Sequence, residues 1–322
     1  MLRLTREQAV RYRLAANNLA ARLPAGAYVE AAFAGLQDTG PRDALLGLHA
    51  RVAGCEPDAW AAPGLIQTYS PRAAVYVLPE RDFGVFTVGR LPRDPDARRA
   101  IETAADQACT ILQGRERGDP RLGISRAACA TGRIAVRWTT SSLTLREVPR
   151  PDIDDEDARL ELARRHLHAF APTTAATFAW WAGLPPADAR ETIAKLGPEL
   201  VTVELAGRSA LALAADEEAL RDAGPHRGVR LLVASDLRLL GQDRSGLYAG
   251  PGLARHSPLL DWFHPHGLLV DGAIAGTWGR RGGQVSIRTA GPLDPATRAA
   301  VLAEAATLPV PGATVTVDIT EH

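Results

Sequence analysis

Lysine is almost missing from this chain: of its 37 basic residues only Lys195 is a lysine. A GC-rich genome, which also loads the sequence with Ala, Gly and Pro, accounts for that bias, so arginine content alone makes no case for phosphate binding. Long hydrophobic runs are missing too. None approaches the roughly 20 residues that cross a bilayer, and the opening MLRLTREQAVRYR is too polar for a secretory leader. Cysteine is scarce. Cys55, Cys109 and Cys129 are odd in number, far apart and in no CxxC spacing, which reads as reduced thiols used for packing in a cytoplasmic protein. Several chemical signatures are lacking as well: no GxxxxGKS/T phosphate loop, no GxGxxG after a strand, no GxSxG elbow and no HExxH.

What is present is the balance of an ordinary globular protein, with 46% apolar and 23% charged residues. That excludes a disordered chain, a collagen-like repeat and a disulfide-stapled miniprotein. The 322 residues give room for two or three modules. Formal net charge is zero, but it is unevenly spread. Residues 1–150 hold 21 arginines against 15 acidic residues, a net +6; residues 151–230 carry −5 and residues 231–322 carry −1. A surface facing phosphates is therefore expected in the first half.

Thr5 stands as an N-cap before apolar residues at helical spacing (Val10, Leu14, Leu19, Leu23), and Pro24 and Gly26 end that segment. Helical stretches are expected at 27–34 and 42–52, strand-like runs at 73–78 and 84–88, and a helix at 96–112. Three helices followed by strands is the order of a winged helix. The middle has a clearer pattern. After the acidic run Asp152–Asp157 a helix reaches Phe170, a second starts at Thr173/Thr174, and a third runs from Pro186 to Gly197. Leu200–Leu205 alternates as a strand, Ala206-Gly207-Arg208 turns, and Ser209–Leu213 returns. Helix, helix, helix, hairpin is a winged helix-turn-helix. From Val229 onward short apolar runs, the Asp271-Gly272 turn, a helix capped by Asp294 and a last strand at 313–319 make a small β-rich domain.

Histidines at His166, His168, His256, His264 and His266, with Asp261, invite a metal reading. His166 and His168 lie two apart on a helix and point to different faces, however, so hydrogen-bonded or surface histidines are the simpler expectation. Trp180-Trp181 could stack on bases, but core packing is the commoner use. Gly279-Arg280-Arg281-Gly282-Gly283 is a basic hairpin tip, either a wing on phosphate or a solvated turn.

Four stretches, in order along the chain, carry a family likeness. They are Gly35–Thr39 with Ala44 and His49–Val52; Ala130–Ile134; Ala171-Pro172-Thr173-Thr174 through Trp180-Trp181-Ala182-Gly183-Leu184-Pro185; and Leu268–Trp278. The chain resembles the AlkZ-like winged-helix proteins, a bacterial group that includes DNA glycosylases. The resemblance implies an α+β fold of about three tandem winged helix-turn-helix units around a concave DNA channel, with a C-terminal β-rich module. The units would be a basic winged-helix region at 1–150, a central winged helix at 151–228 and a β-rich domain at 229–322. It also implies action on alkylated purines, including crosslinks, through a Gln-x-Gln or Gln-x-Asp motif. Here the matching tripeptide is Gln37-Asp38-Thr39, which keeps the first position and departs at the last.

An N3- or N7-alkylated purine is cationic and leaves readily, so an enzyme need only hold a water under C1′ and tolerate a developing sugar cation. A glutamine carbonyl can orient that water. A threonine hydroxyl can bond it but is neither base nor charge. The candidate catalytic residues are thus Gln37, with Thr39 or Asp38 in support, although Asp38 should point away from Gln37 and either residue could instead cap the helix that follows. Arg42, Arg51, Arg133, Arg280 and Arg281 are the candidate DNA contacts, with an ion pair as the equal alternative for Arg51. The expected partner is double-stranded DNA, alkylated or crosslinked, bound by a monomer with no cofactor, metal or membrane, and losing affinity steeply with salt. A non-catalytic DNA binder is the first alternative, and a protein-binding scaffold, suggested by the acidic middle, the second.

Overall fold

The computed structural model describes residues 1–40, 42–70, 72, 74–119, 123–236 and 266–321, so His256, Asp261 and His264 lie outside the described residues. Strand β1 (Leu2–Leu4) leads into α1 (Arg6–Ala16). The Thr5 hydroxyl accepts from the Gln8 amide at 3.2 Å while the Gln8 side chain accepts from the Thr5 amide at 2.9 Å, satisfying two donors that a helix start leaves over. The helix stops at Ala16, short of the expected Leu23. There the Asn17 side chain donates to the carbonyls of Arg13 and Ala169 and ties the helix end to another element.

Then come α2 (Tyr28–Ala31), β2 (Leu36–Gln37), α3 (Asp43–Arg51), β3 (Leu65–Ser70), β4 (Ala74–Pro79), α4 (Phe83–Thr87), α5 (Pro95–Leu112), β5 (Arg117–Asp119), β6 (Ile134–Trp138) and β7 (Leu143–Glu147). The strands form one six-stranded sheet in the order β2-β4-β3-β6-β7-β5. The run expected as a strand at 84–88 is the helix α4 instead. Short all-apolar runs have no periodicity that separates the two states. Here Phe83, Val85 and Phe86 pack into the main core while Val88 packs into a second cluster with Leu91 and Ala158. Gly89 allows this approach, since a Cβ there would lie 2.8 Å from the Ala158 carbonyl oxygen.

The middle follows the expected order closely. Helix α6 (Asp155–Phe170) is capped by the Asp154 carboxylate, which accepts from the amides of Glu156 and Asp157. Helix α7 (Ala175–Ala182) is capped by Thr174, and α8 (Pro186–Lys195) opens on its proline. The hairpin β8 (Leu200–Leu205) and β9 (Arg208–Leu213) follows, then α9 (Glu217–Asp222). Strand β1 runs parallel to β8, with Leu2 opposite Val203, so the chain's first residues complete the sheet of its middle. The last part holds β10 (Val229–Leu232), β11 (His266–Val270), β12 (Ala273–Arg281), β13 (Gln284–Thr289), α10 (Pro295–Ala306) and β14 (Thr316–Glu321). These strands pair in chain order, and α10 lies on them through Val301 and Ala305. Among the described residues no helix is long and apolar enough to cross a membrane.

The main core joins one face of the six-stranded sheet (Tyr76, Leu78, Ala135) to α6, α7 and α8 through Phe170, Phe178 and Trp181. His166 is sealed there, its ring centroid 5.1 Å from that of Trp181 and its Nε2 3.0 Å from the Thr173 hydroxyl. His168, on another face of α6, pairs with Asp216 at 2.9 Å. The two histidines thus have separate partners. Burial, reinforced by Arg13, pushes His166 down to about 3. Burial and Arg22 do the same to His49, whose Nε2 lies 2.8 Å from the Thr307 hydroxyl. A histidine held below its ordinary value near 6.5 contributes stability above that value and loses it as pH falls. The two together are expected to cost about 4 kcal/mol of unfolding free energy between pH 7 and pH 5. Urea titrations at both pH values check this, with His49→Gln removing about half of the loss; equal free energies at the two pH values would contradict it.

Candidate functional site

Gln37 ends β2 and lies opposite Tyr76 of β4, so the two side chains share the sheet face that packs on α6–α8. Strand geometry sends the next residue to the other face. Asp38 and Gln37 therefore occupy different environments. The Gln37 Oε1 accepts from Arg72 Nη2 at 2.9 Å and from the Tyr76 hydroxyl at 3.4 Å. Its Nε2 donates to the Thr39 hydroxyl oxygen at 2.5 Å. Gln37 is buried and Thr39 exposed, so the outer two residues of the tripeptide meet at the edge of solvent. The glutamine was expected to offer its carbonyl to a water. That oxygen is turned inward, because Arg72 can only donate and fixes the amide orientation.

Asp38 is fully buried. Its Oδ1 accepts from the Ala44 amide at 3.0 Å, at the start of α3, and its Oδ2 accepts from Gln67 Nε2 at 3.1 Å. The Gln67 carbonyl in turn accepts from the Trp138 amide at 2.7 Å. Arg42, with a left-handed backbone (φ 71°), lies 4.0 Å from the same carboxylate and 3.6 Å above the Trp60 ring, and donates to the Trp138 carbonyl. Asp38 thus serves the start of the following helix, and its carboxylate does not face Gln37 or Thr39.

Arg72, in the turn between β3 and β4, donates to the Trp181 carbonyl at 3.3 Å and lies 4.6 Å over the Trp180 ring. Of the tryptophan pair, Trp181 is core and Trp180 half-buried beneath this guanidinium. The other candidate arginines are dispersed. Arg51 is buried and holds Asp236 through two bonds of 2.8 and 3.0 Å, so it lies inside the protein rather than on a DNA-facing surface. Arg133 is bound to Asp106 at 2.6 Å and to the Cys109 sulfur at 3.4 Å. Arg280 and Arg281 close the β12–β13 hairpin, where Arg280 donates to the Gly282 carbonyl and Arg281 is exposed. Gln67, Arg72, Tyr76, Trp60 and Trp138 escaped the sequence reading. The β-forming run Ile66-Gln67-Thr68-Tyr69 between Pro63-Gly64 and Pro71 was the available signal for β3 and its turn.

Burial raises the Asp38 carboxyl to about 6, against the bonds from Ala44 and Gln67 and the charge of Arg42, which lower it; Asp43 adds to the rise. A carboxyl raised in the fold contributes its stability at low pH and loses it as pH climbs from its unfolded value near 3.9 to its folded one. Asp38→Asn lacks this dependence. Its stability relative to the natural chain is expected to improve by about 2 kcal/mol between pH 4 and pH 7. Urea unfolding of both proteins at the two pH values measures it, and a constant difference would mean that Asp38 is ionised throughout.

Residues 121–309 match the family model of the AlkZ-like DNA glycosylases. The tripeptide lies outside that segment. The interstrand DNA cross-link repair glycosylase of Streptomyces sahachiroi is 29% identical over 137 residues, which are 41% of this chain and 36% of that protein. The match thus spans about a third of the curated relative. The structure of the Streptomyces sahachiroi DNA glycosylase AlkZ superposes with a TM-score of 0.78 over 99% of this chain and all of the other, at 18% identity. That likeness is one of fold, a mixed α+β architecture. With more than half of its length in the family model, this chain belongs to the AlkZ-like DNA glycosylase family.

Proposed function

We propose that this chain binds double-stranded DNA and hydrolyses the N-glycosidic bond of cationic N3- or N7-alkylated purines, crosslinked ones included. The observation that carries the reading is the contact between Gln37 and Thr39 at the edge of solvent, the outer two residues of the tripeptide that resembles the family's Gln-x-Gln or Gln-x-Asp motif. No carboxylate among the described residues bonds to either side chain, so the site can position a water but not deprotonate it. A cationic purine suits such a site, because its departure needs no proton and positioning supplies much of the rate. A neutral base does not. In this reading three winged-helix units surround a concave channel, with those arginines of the first half that remain exposed and the Arg280–Arg281 hairpin tip on DNA phosphates.

A second reading, DNA binding without hydrolysis, draws on two observations: the Gln37 carbonyl is held by Arg72, and Asp38 is spent on the start of α3. One assay decides between them. Duplex containing N7-methylguanine is incubated with the protein and then heated in alkali. Strand breaks at the lesion are expected, falling at least about tenfold in Gln37→Ala. A gel shift without breaks selects the second reading, and breaks of equal yield in both proteins remove Gln37 from the mechanism.

A further inference from the structure

We infer that Arg72, Gln37 and Thr39 form a polarised hydrogen-bond relay whose outer end takes a phosphodiester oxygen of the bound DNA. The direction of each bond is set from within. Arg72 has donors only, so it claims the Gln37 oxygen; Gln37 must then turn its nitrogen to Thr39, whose oxygen accepts. The Thr39 hydroxyl hydrogen is thereby left over, and among the described residues no protein group accepts it. Thr39 is exposed, so this hydrogen faces solvent. Hydrogen bonds aligned head to tail from a cation strengthen one another, and this series ends in a donor. Such an end selects an acceptor with negative charge.

The charge balance points to the same class of ligand. Arg72 is half-buried, between the Trp181 carbonyl, the Tyr76 hydroxyl, the Gln37 carbonyl and the Trp180 ring. No carboxylate among the described residues pairs with it. The neighbouring Arg42, by contrast, has Asp38 at 4.0 Å. A partly buried guanidinium without a counter-ion is stabilised by an anion arriving from outside, and in a DNA-binding protein that anion is the backbone phosphate. This inference rests on the DNA-binding half of the reading above and not on hydrolysis. While the Thr39 hydroxyl donates to a phosphodiester it does not donate to a water, so in the relay Thr39 serves binding. A water would be left to the second Nε2 hydrogen of Gln37 and the Thr39 oxygen.

The test measures equilibrium binding of a short undamaged duplex against salt for the natural chain, Thr39→Val, Arg72→Met and, as a control for lost charge, Arg99→Met on the outer face of α5. Thr39→Val and Arg72→Met are each expected to weaken binding about tenfold, and the double variant little more than either alone. Arg72→Met lowers the salt slope by about one unit and Thr39→Val leaves it unchanged. Methylphosphonates replacing the central phosphodiesters weaken the natural chain and add little in Thr39→Val. Thr39, being exposed, keeps the test valid if Arg72→Met fails to fold. Unchanged affinity in Thr39→Val, or equal losses in Arg99→Met and Arg72→Met, overturns the relay. No binding by the natural chain at low salt overturns the DNA-binding reading itself.

Discussion

The close approach of the end of α7 to the β3–β4 turn is the contact on which the candidate site depends. Gly183 makes it possible. Its backbone is left-handed (φ 68°), and a Cβ there would sit 3.0 Å from the Arg72 amide nitrogen. The helix can therefore end directly against the turn, where Arg72 takes the Trp181 carbonyl and Arg90 takes the Ala182 carbonyl. Two cations at a helix C-terminus complement its dipole and its unpaired carbonyls. The same arrangement brings Arg72 within reach of Gln37. Closing the core with Trp181 and setting the orientation of the Gln37 amide are thus consequences of one packing event.

The alternation of side chains along an extended segment governs the rest of the site. In a tripeptide of this kind the outer residues face one side and the middle one faces the other. Asp38 cannot substitute for a missing acid at the third position, because it points toward α3 rather than toward Thr39. Its burial is tolerated because each carboxylate oxygen has a fixed donor and Arg42 stands nearby. The donors differ in origin: Ala44 belongs to the start of a helix, and Gln67 is held by the backbone of β6. The tripeptide is thereby joined to α3, β3 and β6 at once.

Local signals were legible where the structure is local. The Thr5, Asp154, Thr174 and Asp294 caps, the Pro186 helix start and the 200–213 hairpin all follow from residues a few positions apart. What escaped depends on sequence-distant pairing. Strand β3 follows the Pro63-Gly64 turn but shows no alternation of polar and apolar residues, and its neighbour β6, with β7 beyond, is brought to it only by the fold. The addition of β1 to the β8–β9 hairpin spans two hundred residues of chain, and no periodicity foretells it. The site was half visible. Gln37 and Thr39 could be named from the likeness to a family, and the turn of Asp38 away from Gln37 from strand geometry. Arg72 could not be found, since nothing in Pro71-Arg72-Ala73 marks an arginine that reaches both a glutamine and a tryptophan.

Charge arithmetic along a sequence misleads in one further respect. The net +6 of the first half counts arginines that the fold consumes internally. Arg51 is paired with Asp236, Arg22 with Glu304, Arg98 with Asp155 and Arg93 with Glu156, in each case joining the first half to a later part of the chain. Those pairs convert sequence polarity into cohesion, with Arg93–Glu156 and Arg98–Asp155 holding the acidic middle against the basic first half. Arg137 and Arg146 are different. They are exposed on adjacent strands, and the pairing of Arg137 with Thr144 and of Ala135 with Arg146 sets them on one face as diagonal neighbours. Like charges placed so close disfavour the free protein slightly and favour a bound polyanion. The cations available to a duplex are accordingly fewer than composition suggests, and their positions, more than their number, decide where DNA can lie.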